Sequence, residues 1–141
     1  MQEAMLYERL PGGAVRCHVC EWRCVINSGK IGLCRMRRNL EGTLEVLNYG
    51  QVSSIGIDPI EKKPLFHFHP ASQAFSLGGW GCNFHCKHCQ NWQISHQVEG
   101  TRGSQSISPE EAIRLTRGHS CDGIAWTYNE PCIWLEYTLD S

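Results

Sequence analysis

Apolar positions in the second half of the chain fall into short runs whose period switches between strand and helix. Gln73 to Leu77 reads as a strand that delivers the chain into a glycine-rich and then cysteine-rich loop. A helix is predicted after Ser108. Ser108 is a good N-cap, Pro109 takes the first helical position, and Glu111 completes an S-x-x-E capping box. Ala112, Ile113, Leu115 and Thr116 give that helix an apolar side, and Gly118 is its stop. Gly123 to Thr127 reads as a buried strand, followed by the turn Tyr128-Asn129-Glu130-Pro131. Pro131 opens a second helix, in which Ile133 pairs with Tyr137 and Leu135 with Leu139 at i,i+4. This last pattern reaches Ser141 without a C-cap.

Strand, loop, helix, repeated once, is how a parallel α/β barrel begins, and such barrels carry their active sites at the carboxyl ends of the strands. Both chemical motifs of this half, the cysteine loop and the Asn129-Glu130 turn, fall at such ends. An isolated pair of parallel strands leaves sheet edges open and apolar faces uncovered. The expectation is therefore the front part of a longer protein: a Cys-rich metal-binding segment over 1–50, a connector over 51–72, and the first two βα units of a barrel over 73–141.

The loop itself reads Cys82-Asn83-Phe84-His85-Cys86-Lys87-His88-Cys89, a C-x3-C-x2-C spacing that follows Gly78, Gly79 and Gly81. Thiolates are soft ligands that favour iron–sulfur clusters, zinc or Cu(I). A cubic 4Fe–4S cluster ordinarily takes four cysteines, so three leave one iron open. An open position on a bound metal separates a site that does chemistry from one that only holds a fold. Glycines ahead of the loop let a cluster and a ligand approach the backbone closely. The competing readings are a zinc site with His85, His88 or His96 as fourth ligand, and a disulfide, which a reducing compartment disfavours.

A second constellation lies near the start. Cys17, Cys20, Cys24 and Cys34 are spaced C-x2-C-x3-C-x9-C, with Gly29 and Gly32 in the long gap. Four thiolates so placed can close a tetrahedral zinc site that folds the segment outright, or hold an auxiliary iron–sulfur cluster. Cys121 and Cys132 stand apart from both groups and read as small core residues.

Composition narrows the setting. The chain has 141 residues, 41% hydrophobic and 19% charged, with a net charge of −1. That balance offers no electrostatic reason for a nucleic acid or anionic membrane partner. The group Arg35, Arg37 and Arg38 reads as a solvated turn. No apolar stretch approaches the ~18 residues of a membrane span, and Glu3 and Glu8 sit where a signal peptide is basic and then greasy. Nine cysteines then read as metal ligands in a reducing cytoplasm. His67 and His69 alternate around Phe68 and share one face if they lie on a strand. Lys62 and Lys63 carry no clear assignment.

Three separated strings agree in order and spacing with one family. Asp58-Pro59-Ile60-Glu61-Lys62-Lys63-Pro64-Leu65, then Cys82 to Cys89 with Gln90-Asn91-Trp92, then Thr127-Tyr128-Asn129-Glu130-Pro131 resemble the AmmeMemoRadiSam-system radical S-adenosylmethionine (SAM) proteins, relatives of the pyruvate formate-lyase activating enzyme. The similarity runs from about Cys17 to the end and includes the four early cysteines. It implies an α/β fold, the start of a partial parallel (β/α)6 radical SAM barrel, behind a small Cys-rich domain. By the same resemblance, Cys82, Cys86 and Cys89 are the ligands of the 4Fe–4S cluster, and S-adenosyl-L-methionine chelates the open iron. Reductive cleavage of that cofactor yields a 5′-deoxyadenosyl radical that abstracts a hydrogen atom, in glycyl-radical activases from a backbone glycine of a partner protein. A low-potential donor such as flavodoxin or ferredoxin supplies the electron. Asn129 and Glu130 lie where activases place a Gly-Gly-Glu turn that receives the SAM ammonium, and His88 stands where the family usually has an aromatic residue against the adenine. The rival from another class is a non-catalytic zinc-binding interaction module in which all seven clustered cysteines are structural.

Overall fold

A computed structural model describes residues 2–96 and 105–141. The front of the chain forms two small antiparallel sheets. Strands β1 (Gln2–Glu3), β2 (Tyr7–Arg9), β3 (Val15–Cys17), β4 (Val25–Ile26), β5 (Arg37–Leu40) and β6 (Thr43–Val46) pair in the orders β1-β6-β5 and β2-β3-β4. The β5–β6 hairpin closes on Glu41 and Gly42, both at positive φ (52° and 86°), the backbone that matches the strand twist in a two-residue turn. Asn39, fully buried, holds this turn by accepting from Gly42 N at 2.8 Å, and it donates to Ile26 O of the other sheet and to Gly13 O in the turn between β2 and β3. Ala4, Val15, Cys17, Ile26, Leu44 and Val46 form the core beneath.

The second half adds β7 (Gln51–Val52), β8 (Ser54–Pro59), β9 (Gln73–Gly78), the short helix α1 (Trp92–His96), β10 (Gln105–Ser106), α2 (Pro109–Gly118), β11 (Gly123–Trp126), a 3-10 turn over Pro131–Trp134 and α3 (Leu135–Asp140). The two strands expected from sequence pair in parallel, from Gly123 opposite Ala74 to Trp126 opposite Leu77. Ser108 Oγ accepts from Glu111 N at 3.2 Å, so α2 starts and stops where the pattern placed it. Phe75 and Leu77 pack on one face of β9 with Val52, Ile107, Ala112, Trp134 and Tyr137.

Three expectations are corrected. The segment 51–72 is not merely a connector: β8 runs antiparallel along β9 from Ser54 opposite Gly78 to Pro59 opposite Gln73, giving a mixed sheet ordered β11-β9-β8. That pairing covers the β9 edge, which a purely parallel start would leave bare. His67 and His69 lie in turns and are exposed, so no strand gives them a common face. Arg37 and Arg38 lie on β5 rather than in a solvated turn, and Arg37 is 1% exposed. Among the described residues no helix is long and apolar enough to cross a membrane.

Candidate functional site

β9 delivers the chain into the cysteine loop through Gly79-Trp80-Gly81. The glycines make room for the protein's own atoms. A Cβ on Gly79 would lie 2.9 Å from the Trp134 ring, and one on Gly81, at φ +82°, would lie 2.6 Å from Cys34 O. Gly78 likewise leaves its space to Tyr128. The loop is laced to the turn after β11: Asn129 Nδ2 donates to Gly79 O (3.0 Å) and Gly81 O (2.7 Å), and Asn91 Nδ2 donates to Tyr128 O (2.6 Å). Two motifs 40 residues apart in sequence order thus become one surface at the carboxyl ends of β9 and β11.

On that surface Cys82 and Cys89 are half-buried and Cys86 is exposed, and all three are free thiols. Phe84 N–H donates to Cys82 Sγ at 3.5 Å, and Cys89 Sγ lies 3.8 Å from Ser95 Oγ. His88 is exposed on the same loop, while His85 and His96 stack on each other with centroids 5.2 Å apart. Among the described residues no three His, Cys, Asp or Glu side chains converge so as to hold a metal ion. The donor set nonetheless fits an iron–sulfur cluster in kind: three soft, accessible sulfurs, one already receiving a backbone N–H. Glu130 caps the 3-10 turn, its carboxylate accepting from Cys132 N at 3.3 Å.

The early cysteines have different surroundings. Cys17, Cys20, Cys24 and Cys34 line one small cavity, about 10 Å3, closed by Arg37 and by Asn83 of the central loop. Trp22 Nε1 donates to Asn83 O at 2.8 Å and so ties the rim of the cavity to that loop. Burial pushes the Cys17 and Cys34 thiols up, Cys34 to about 11, against a backbone N–H at each and the nearby Arg37 charge. Cys132, expected to stand apart, lies beside this group: burial first, then the Glu130 carboxylate and Cys20 and Cys34, push it up to about 12.

Two further residues escaped sequence reading. Arg37 donates through Nη2 to Glu136 Oε2 (2.8 Å) and Ile133 O (3.1 Å), and both members of the pair are 1% exposed. Among the described residues its Nε and Nη1 have no hydrogen-bond partner. An unsatisfied buried donor costs roughly 1–3 kcal/mol, and more when charged. No local signal exposes this residue, because β5 buries Arg37 and Asn39 and leaves Leu40 43% exposed, the reverse of the usual alternation. Asp58 was visible only as part of a motif. It accepts from Lys62 (2.6 Å), Lys63 (2.8 Å) and Ser76 (2.7 Å) on the β9 face opposite the main core. Burial alone would raise its pKa, but these three donors outweigh it and hold the carboxyl well below the usual range.

The chain is 46% identical over its whole length to Uncharacterized protein MJ0808 of Methanocaldococcus jannaschii, of which it covers 42%. It is 35% identical over 80 residues to Uncharacterized protein MJ0674 of the same organism, matching 56% of this chain and 19% of that protein. The chain therefore spans less than half the length of the curated relatives it matches. No family model and no solved structure matches it.

Proposed function

We propose that this chain carries the cluster-binding part of a radical S-adenosylmethionine enzyme, with Cys82, Cys86 and Cys89 as the iron ligands. The observation that supports it most is the joining of the cysteine loop to the Tyr128–Glu130 turn by Asn129 and Asn91 at the strand carboxyl ends. Cys82, Cys86 and Cys89 would hold the cluster, which when bound would supply the electron for reductive cleavage of S-adenosylmethionine. The chain's own part is positional. Asn129 ties the β11 turn to the loop backbone, the Phe84 N–H donates to Cys82 Sγ, and Trp134 and Met36 pack under the loop glycines. The sheet β11-β9-β8 is proposed as the start of a partial barrel whose remaining strands and substrate pocket belong to a longer protein. A cytoplasmic setting and a flavodoxin- or ferredoxin-like donor belong to the same proposal.

Anaerobic reconstitution with iron and sulfide is expected to load about four irons on this loop. Cys82→Ala, Cys86→Ala and Cys89→Ala should each abolish the cluster's EPR signal. Variants that kept their iron and their signal would remove these ligands from the assignment. If Glu130 receives the cofactor's ammonium, Glu130→Gln in a protein that includes the rest of the barrel weakens S-adenosylmethionine binding about ten- to a hundredfold, the range of a charge-assisted bond. Equal affinities would leave it a helix-start acid.

A further inference from the structure

The front cavity carries a site of its own, independent of the radical reading. We propose that Cys17, Cys20, Cys24 and Cys34 hold one divalent ion of zinc's class as a tetrathiolate, and that the buried Arg37 guanidinium is its counter-charge. The four sulfurs come from separate stretches, the end of β3, the turn after it and the loop before β5, yet they rim a single cavity. The cavity of about 10 Å3 has room for one water-sized sphere. Four thiolates around one small cavity suit a single tetrahedral ion.

Arg37 lines the same cavity with Nε and Nη1 unpartnered among the described residues, while Nη2 alone serves Glu136 and Ile133. Disulfides between these cysteines would be neutral and would leave those donors without strong acceptors. A divalent ion that displaces four thiol protons to solvent leaves a site of net charge −2, with four anionic sulfurs that take N–H donors well. The thiols rim the cavity without converging on one point, so ligation draws them inward. Asn83 sits on the cavity wall one residue after Cys82. Metal capture therefore braces the central loop from beneath through the Trp22–Asn83 bond.

The test uses cobalt(II), then zinc, in a chain carrying Cys82→Ser, Cys86→Ser and Cys89→Ser, so that the central loop cannot contribute. Anaerobic titration is expected to saturate at one cobalt per chain, with the sulfur-to-cobalt charge-transfer band and intense visible bands of a tetrahedral four-thiolate site, both erased when zinc displaces cobalt. Cys20→Ser in that background should lower the charge-transfer intensity by about a quarter, for one sulfur of four. Absence of these bands, or assembly of a cluster with about four irons in this background, would overturn the single-ion site. Arg37→Gln combined with Glu136→Gln removes the guanidinium together with the carboxylate that pairs with it, so that no buried charge is left alone. It should weaken cobalt about tenfold at unchanged stoichiometry, and unchanged affinity would overturn the role of Arg37. Because the front site is read by cobalt spectra and the central loop by iron and EPR, either assignment can fail while the other stands.

Discussion

Cys17 and Cys34 are 7% and 9% exposed and Cys20 and Cys24 half-buried, whereas Cys86 is exposed and Cys82 and Cys89 are half-buried on a loop. Sequence spacing makes the two groups look alike. Their surroundings separate them: the front group shares its cavity with a buried guanidinium, and the loop group faces outward at the carboxyl ends of two parallel strands. A metal held by the first group adds to folding free energy, while one held by the second stays open to a ligand. Substitutions that act differently on the two groups are the sharpest way to break this comparison.

The largest effect is expected from the buried sulfurs. Cys34→Ser should cost about 5 kcal/mol or more through loss of a closed metal site, a fall in Tm of roughly 15 °C for a chain of this size. Cys86→Ser, at an exposed position, should stay within about 0.5 kcal/mol. Thermal unfolding of the zinc-loaded variants with and without chelator measures both. Equal losses at the two positions would erase the distinction between closed and open sites.

Next in size is the pair that joins the halves. Arg37 on β5 and Glu136 on α3 are 99 residues apart, and Glu136 also accepts from Met5 N at 3.1 Å. Arg37→Ala leaves a buried carboxylate without its partner and should cost about 3–5 kcal/mol. Replacing both, Arg37→Met with Glu136→Leu, should cost much less, because the desolvation of two charges disappears with them. Urea unfolding of the single and double variants decides it, and a double variant as unstable as the single would show that packing and not charge sets the loss.

These long-range contacts also mark what was legible in the chain. The N-cap at Ser108 and the apolar runs of β9 and β11 are local patterns that match the elements within a residue or so, but β11 is half-buried with Gly123 exposed, and the Glu111 carboxylate pairs with Arg114 instead of closing the capping box. The second helix was half legible: Pro131 does start it, but as a 3-10 turn that becomes α only at Leu135. Arg37 was misread because a run of basic residues ordinarily means solvent, and its partner lies at the far end of the chain. β8 was misread because Ile55 and Ile57 are 43% and 46% exposed, so its alternation follows the sheet without marking a core. The cysteine spacing identified both candidate groups; the addition of Arg37 and Asn83 to the front one depends on tertiary folding.

A smaller effect is expected at Asp58. Its pKa is depressed in the folded chain by Lys62, Lys63 and Ser76 despite burial. The stabilisation is therefore fully present above the unfolded carboxyl value of about 3.9 and is lost as pH falls through the folded one. Asp58→Asn should cost about 1–3 kcal/mol at neutral pH and flatten the decline of stability below pH ~4. Lys62→Ala should change little, since that side chain is 62% exposed, whereas Lys63 is 16% exposed and also lies over the Tyr128 ring at 5.5 Å. An acid limb as steep in Asp58→Asn as in the parent would assign the pH dependence to other carboxylates.

The smallest effect on stability belongs to Glu130, two residues before Cys132. Its carboxylate caps the Pro131–Trp134 turn through Cys132 N, and it also raises the Cys132 thiol, second only to burial. Glu130→Gln keeps an oxygen that can accept the same N–H, so the loss should be a few tenths of a kcal/mol, well below the ~1 kcal/mol of a deleted cap. The charge, however, is gone. The Cys132 thiol should then titrate below its present value of about 12, while burial still holds it above the ordinary thiol range. Alkylation of Cys132 followed by mass spectrometry across pH 8–10 should show a several-fold faster reaction in Glu130→Gln, with the rate at Cys86 unchanged. Unchanged alkylation at Cys132 would mean that burial alone governs this thiol and that Glu130 acts only on its own turn.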